Sequence, residues 1–455
     1  MNLAEAPPRF EASPKTPFSL RKELNVVDAT AIVVGTVIGS GIFLLPSLIA
    51  AQIDSLGAVL LVWIAGGLLT VFGGLSLAEL GSIYPGTGGL CTYLRHIYGP
   101  LPAFLYAWAL LAMIHSGSIA ALSVAFGLYS GQLLHLNSVE TKLCSVTTIL
   151  GLTAVSCLGI RGGKLFQNFM AVAKLSGVAA LILLLRVKGS RPIHLIETTT
   201  TSRQHSLSFA GLSIALVAVL WAYEGWHVVS FVAGEMKRPK LDLPRSLFLG
   251  TGLVLLIFLA VNCAYYHTLS AGEIRSNGAV AALAIRTVAG TAASDSFSVL
   301  ILISVLGSMN GLILTGPRVY YAMASDGLFP RPFKKLNHRY RTPVVALTVQ
   351  GIWAAVLAFS GSYEQLLTNV IFTAWIFYGL AVAGVVVLRH RQPELERPFL
   401  VPGYPWLSLM FCSAAVGLIV STFIHQPTGS MIGIGLVASG LPLYFLLAGG
   451  RTTTL

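Results

Sequence analysis

Long apolar stretches follow one another in this chain and leave it few possible folds. From Gly57 to Ile83 the only charged side chain is Glu79, and from Ser246 to Leu269 there is no Asp, Glu, Lys or Arg. Stretches of this length cross a membrane as helices. Hydrocarbon offers no partner to a backbone N–H or C=O, so the helix must satisfy its own backbone. Only 10% of the 455 residues are charged, against about 25% in soluble globular proteins. The expected fold is therefore an all-α integral membrane protein.

Twelve transmembrane helices are expected between Val26 and Ala448, with the fourth at Leu143–Ile160 and the ninth at Pro343–Phe359. They divide the chain into a cytoplasmic N-terminal tail (1–24), a first group of five spans (25–187), an extracytoplasmic loop (188–207), a second group of five (208–390), and spans 11 and 12 with a short tail (391–455). No cleavable leader is expected, because the stretch up to Leu24 is polar and Pro-rich, with no apolar core. Lys and Arg favour the loops on the N-terminal side by about three to one, which places both termini in the cytoplasm. The net charge of +12 is thus a topology signal, not a nucleic-acid footprint. The five cysteines have no metal-ligand spacing.

Span 1 carries Val33-Val-Gly-Thr-Val-Ile-Gly-Ser-Gly-Ile-Phe-Leu-Leu-Pro46. Gly39, Ser40 and Gly41 sit near mid-span, where glycine invites the helix to open. An opened helix in lipid leaves backbone groups bare, at several kcal/mol each, and is tolerated only where it lines a cavity. The alternative is that the glycines allow close helix packing, and either reading fits this stretch alone. Span 6 holds a second candidate break, Val219-Leu-Trp-Ala-Tyr-Glu-Gly-Trp-His227. The two breaks lie five spans apart. If spans 1–5 and 6–10 form a five-plus-five inverted repeat, broken helices 1 and 6 occupy matching positions, and such pairs point to a transport site.

Amide groups at Gly39, Ser40 and Gly41, with the Ser40 hydroxyl, would receive a carboxylate. Carbonyls of Val37, Trp221 and Glu224 would receive an ammonium. An α-amino acid zwitterion fits that pair. Lys174 lies in mid-span at a cost of about 2.5–3.5 kcal/mol, so it should face the interior and hold the carbonyls of the span 1 break as a fixed cation. Snorkelling to an interface is the alternative. Glu224 could bond the unwound backbone, face a cationic substrate or carry a proton, with His227 sharing that proton. Trp221 could be a lid or simple packing. Glu79, Arg318 and Asp326 read as ion-pair partners at the inner face. No Walker A, His-Glu-x-x-His or Cys-x-x-Cys pattern is present, so neither an enzyme nor a cofactor or metal is expected.

These segments resemble the amino acid–polyamine–organocation superfamily, and within it the L-type amino acid transporter family. The matching motifs are Gly35-Thr-Val-Ile-Gly-Ser-Gly-Ile-Phe, Ala78-Glu-Leu, Pro85-Gly-Thr-Gly-Gly, Ala222-Tyr-Glu-Gly-Trp, Gly234-Glu-Met-Lys-Arg-Pro, Gly307-Ser-Met-Asn-Gly and Leu388-Arg-His-Arg-Gln-Pro-Glu-Leu-Glu-Arg-Pro. The resemblance implies sodium-independent, alternating-access exchange of small to medium neutral L-amino acids. It puts Lys174 where the family's lysine stands in for Na⁺, with Gly35 and Ser304 as neighbours, and makes Trp221 the aromatic gate. Eukaryotic members often have Phe at the Trp221 position, Gly at the Glu224 position and Asn at those of His227 and Ala374. Glu224 therefore keeps proton-coupled symport open as an alternative, and a non-transporting amino acid sensor is another. The short loop His135–Thr141 lacks the cysteine that joins family members to a glycoprotein heavy chain. No such partner is expected, and a bacterial inner membrane is.

Overall fold

The computed structural model describes residues 22, 24–53, 55–86, 88–157, 163–191, 209–337, 340 and 342–449. Most of the N-terminal tail, most of the loop expected at 188–207 and the last six residues lie outside the described residues. Among those described, nine helices are long and apolar enough to cross a membrane, and one bent pair makes a tenth.

The bent pair is α1 (Val26–Val37) and α2 (Gly41–Ala50), which meet at 45°. Asn25 starts α1 by accepting from the amides of Val27 and Asp28 at 2.8 and 2.9 Å, while Asp28 accepts the Asn25 amide in return. This reciprocal cap satisfies donors that a helix start leaves open. The ladder runs to Ile38 N–H on Val34 O. It restarts at Ser40, whose carbonyl accepts from Phe43 and Leu44.

Next come α3 (Leu56–Ile83), α4 (Leu90–Tyr98), α5 (Pro100–Leu134), α6 (Ser138–Cys157) and α7 (Gly163–Lys188). The second interrupted span is α8 (Phe209–Ala222), a turn at Tyr223–Gly225, and the 3-10 helix α9 (Trp226–Glu235). Then follow α10 (Pro239–Thr268), α11 (Ala271–Ser276), α12 (Val280–Ala289), α13 (Thr291–Ser325), α14 (Val344–Ser360), α15 (Tyr363–Arg391), α16 (Trp406–His425) and α17 (Pro427–Leu447).

Two expected spans fall outside the ten. α6, at the fourth, is rich in Ser and Thr and starts with Glu140 and Lys142, which dilutes its apolar character. α14, at the ninth, has 17 residues and reaches about 26 Å, short of the ~30 Å hydrocarbon core. Both nevertheless pack into the bundle. The loop expected after span 2 contains α4, whose Leu90, Cys91, Tyr93, Leu94 and Ile97 are buried. Its short amphipathic pattern was hidden beside much longer apolar runs.

Large apolar side chains such as Leu61, Leu183, Leu256 and Val416 point outward, while the polar side chains of Thr36, Ser40, Lys174 and Ser308 are inside. That inversion suits a bundle solvated by lipid. Ion pairs gather at the end where α1 begins. Glu79 of α3 accepts from Arg389 Nε at 2.9 Å and Nη2 at 2.5 Å, and from the Val401 amide at 2.8 Å. Arg318 pairs with Glu235 at 3.2 Å, and Arg95 pairs with Asp326. Leu24 also exchanges backbone bonds with Glu235 and Lys237, tying the start of α1 to the end of α9.

Candidate functional site

The two interruptions touch. A Cβ on Gly41 would lie 2.8 Å from the Ala222 Cα, so only glycine lets α2 come this close to the end of α8. Gly225 has φ +104°, a left-handed conformation that glycine adopts without a steric penalty, and faces Thr36. Between the breaks lies a cavity of about 30 Å³, room for about one water. Val37, Gly39, Ser40, Gly41, Trp221 and Glu224 all line it, joined by Ser118 and Leu122 of α5 and Leu312 of α13. The cavity is too small for an amino acid, so binding one requires a wall to move.

The first turn of α2 directs amides of Gly41 and its neighbours out of the helix, as any helix start does. On the opposite side α13 reaches the Ile38 carbonyl through Ser308 Oγ at 3.2 Å and Ser304 Oγ at 3.5 Å, and the Gly35 carbonyl through Ser308 Oγ at 3.3 Å. The Trp221 carbonyl is not bare, because it accepts the Glu224 amide at 2.9 Å. The chain turns tightly between α8 and α9, and an i to i+3 bond closes that turn.

Lys174 faces the interior. Its Nζ donates to Gly35 O at 2.6 Å and to Ser308 Oγ at 2.5 Å. Two hydrogen bonds from a charged group contribute about 3–6 kcal/mol together, which offsets the mid-membrane cost of about 2.5–3.5 kcal/mol. The closest hydroxyl is Ser308, one turn beyond Ser304. Ser304 reaches α1 but makes no hydrogen bond with the lysine among those described. Ser308 lies in Gly307-Ser-Met-Asn-Gly, whereas the expected neighbour, Ser304, lies one turn before that motif.

Glu224 is fixed from α15. The Tyr378 hydroxyl donates to Glu224 Oε1 at 2.6 Å and lies 3.0 Å from His227 Nδ1. His227 Nδ1 is 3.6 Å from Glu224 Oε1, beyond a hydrogen bond. The Tyr378 hydroxyl bridges the two groups. His227 does not line the cavity, and Glu224 Oε2 makes no hydrogen bond among the described residues.

Trp221 is held by a second tyrosine of α15. Its Nε1 donates to the Tyr363 hydroxyl at 2.9 Å, and that hydroxyl lies 3.2 Å from Ser40 Oγ. The two rings meet edge-on at 6.2 Å. On its other side Tyr363 lines a cavity of about 610 Å³, with Leu44, Leu48, Lys142 and Glu364. Tyr363 thus stands between a large cavity and the small one. Neither tyrosine was a sequence candidate: Tyr363 precedes the expected start of span 10, and an aromatic inside a membrane helix reads as packing.

The amino acid permease family matches residues 24–447. The chain is 33% identical to the serine/threonine exchanger SteT of Bacillus subtilis, over 94% of this chain and 97% of that protein. It is 32% identical to the human b(0,+)-type amino acid transporter 1, over 95% of this chain and 89% of that one. With the human large neutral amino acids transporter small subunit 2 it shares 30% identity, over 94% and 81%. The chain belongs to the amino acid permease family, within the amino acid–polyamine–organocation superfamily and beside its L-type members. It is a multi-pass membrane transporter of amino acids rather than an enzyme.

Proposed function

We propose that this permease is a sodium-independent, alternating-access exchanger of small to medium neutral L-amino acids. In this reading α6 and α14 complete twelve spans, the first ten form a five-plus-five inverted repeat, and both termini face the cytoplasm of a bacterial cell. The carrier works without a disulfide-linked heavy chain. The contact of Lys174 with Gly35 carries the proposal. A lysine head group fixed on the Gly35 carbonyl, just before the first break, takes the place a metal cation would need there. The name of the Bacillus subtilis relative supports both exchange and small neutral substrates.

The substrate carboxylate binds the Ser40 hydroxyl and the amides of Gly39 and Gly41. The ammonium binds carbonyls across the gap: Val37, Glu224 and the remaining lone pair of Trp221. Trp221 then covers the ligand. Passage to the far side parts the partly exposed pairs Arg318–Glu235 and Arg95–Asp326, which are worth less than a buried pair. Substrate binding of a few kcal/mol can drive such a change.

Purified protein in liposomes should take up labelled alanine, serine or leucine only when amino acid is preloaded inside. Replacing sodium with choline should leave that uptake unchanged, and uptake that needs a sodium gradient would refute the coupling claim. Glu224 supports a second reading, because it lines the cavity and its Oε2 makes no hydrogen bond among the described residues. If it carries a proton, a pH gradient should drive accumulation, and Glu224→Gln should abolish accumulation while exchange persists.

A further inference from the structure

We propose that Tyr363 is a displaceable plug. Its hydroxyl occupies the place at Ser40 that an incoming carboxylate takes, and it holds the Trp221 ring against the site until that carboxylate arrives. This rests on the reading that the Ser40 end receives the substrate carboxylate.

Three observations converge on this residue. The Tyr363 oxygen accepts from Trp221 Nε1 at 2.9 Å and lies 3.2 Å from Ser40 Oγ. Ser40 and Trp221 line the small cavity, whereas Tyr363 lines the large one. The large cavity, about 610 Å³, is within the range that admits small ligands. One side chain therefore divides the space a substrate can enter from the space it must reach, and bonds to the group expected to receive it.

The exchange of partners is chemically balanced. A tyrosine oxygen and a carboxylate both accept hydrogen bonds, so they compete for Ser40. The carboxylate is ionised and its hydrogen bonds are about twice as strong as neutral ones. The displaced hydroxyl can turn into the large cavity that Tyr363 already borders, which the hydroxyl-bearing Ser362 and Thr141 also line. Losing Tyr363 also frees the Trp221 N–H, so the ring can reposition over the ligand. Ligand entry and lid release become one event.

The test is counterflow of labelled leucine in liposomes, with Tyr363→Phe compared with the unaltered protein and leucine methyl ester as competitor. Phenylalanine keeps the ring and removes the competing oxygen. The KM for external leucine should fall about three- to tenfold, the worth of a hydrogen bond or two, while the ester stays a poor competitor for both proteins. Loss of mere structural support would act in the opposite direction, raising KM and slowing transport. An unchanged or higher KM with the ester still excluded overturns the plug and leaves the carboxylate reading standing. An ester that competes as well as the acid overturns both. If Tyr363→Phe does not reach the membrane, Tyr363→Leu also lacks the hydroxyl and is judged by the same KM criterion.

Discussion

Lys174 donates its Nζ to the carbonyl oxygen of Gly35 across 2.6 Å, bridging α7 and the last turns of α1. The contact lies before the break, where the helix is about to lose its ladder. Removing the ammonium leaves the Gly35 carbonyl and Ser308 without their charged partner, at about 1.5–3 kcal/mol per bond. Lys174→Ala should lower exchange at least tenfold in liposomes while the protein still reaches the membrane. Lys174→Arg should not restore it, because a planar fork does not reproduce a compact ammonium between two fixed oxygens.

Close approach at the breaks gives a second prediction. Gly41→Ala drives a methyl toward the Ala222 Cα, and Gly225→Ala adds both a clash with Thr36 and the strain of a left-handed conformation. Such strain costs about 1–3 kcal/mol. Each variant should lose most transport. Gly252→Ala is the control: a Cβ there meets nothing within 4 Å, and alanine in a helix interior gains about 0.5–1 kcal/mol. That variant should transport normally and melt slightly higher.

The break in span 1 was legible because Gly39 and Gly41 flank Ser40 within an otherwise apolar run, and glycine is the residue that opens helices. Lys174 was legible for the reverse reason: hydrocarbon makes a charge so costly that it implies a partner. The partner itself was not legible. Ser304 and Ser308 are one turn apart on α13, and only the packing of α13 on α1 separates their roles. Tyr363 and Tyr378 were hidden because what sets them apart is a hydroxyl contact with spans 1 and 6, which nothing in the local pattern of α15 encodes. α6 shows the limit of apolarity as a signal, since its Ser and Thr hydroxyls bond their own backbone, as Ser145, Thr148 and Ser156 do.

Glu79 is buried, with 1% of its side chain exposed, and holds Arg389 through two bonds, whereas Arg318 and Glu235 are partly open to solvent. Breaking a buried pair costs about 3–5 kcal/mol, against at most about 1 kcal/mol for an exposed one. Opening at this end should therefore part Arg318–Glu235 and spare Glu79–Arg389. Arg389→Ala should lower the melting temperature by several degrees. Pairing Glu79→Leu with Arg389→Met should recover only part of that loss, because Arg397, 3.7 Å from Glu79, and the Val401 amide lose their acceptor. Arg318→Ala should leave the melting temperature nearly unchanged but increase thiol labelling of a cysteine introduced at this end.

Tyr378 mediates between Glu224 and His227, which are too far apart for a direct bond at 3.6 Å. The Tyr378 hydroxyl lies 2.6 Å from one and 3.0 Å from the other, so hydrogen-bonded coupling between the carboxylate and the imidazole runs through it, beside any direct charge interaction. A double-mutant cycle of Glu224→Gln and His227→Phe, read by thermal unfolding of purified protein, should give an interaction of about 0.5–3 kcal/mol. The same cycle repeated in a Tyr378→Phe background should give an interaction near zero. If the coupling survives without the hydroxyl, the two groups communicate by charge across the low-dielectric interior, and Tyr378 is only a neighbour. If it vanishes, Tyr378 is the link that carries an effect at the substrate cavity into α9, toward the end where Glu235 meets Arg318.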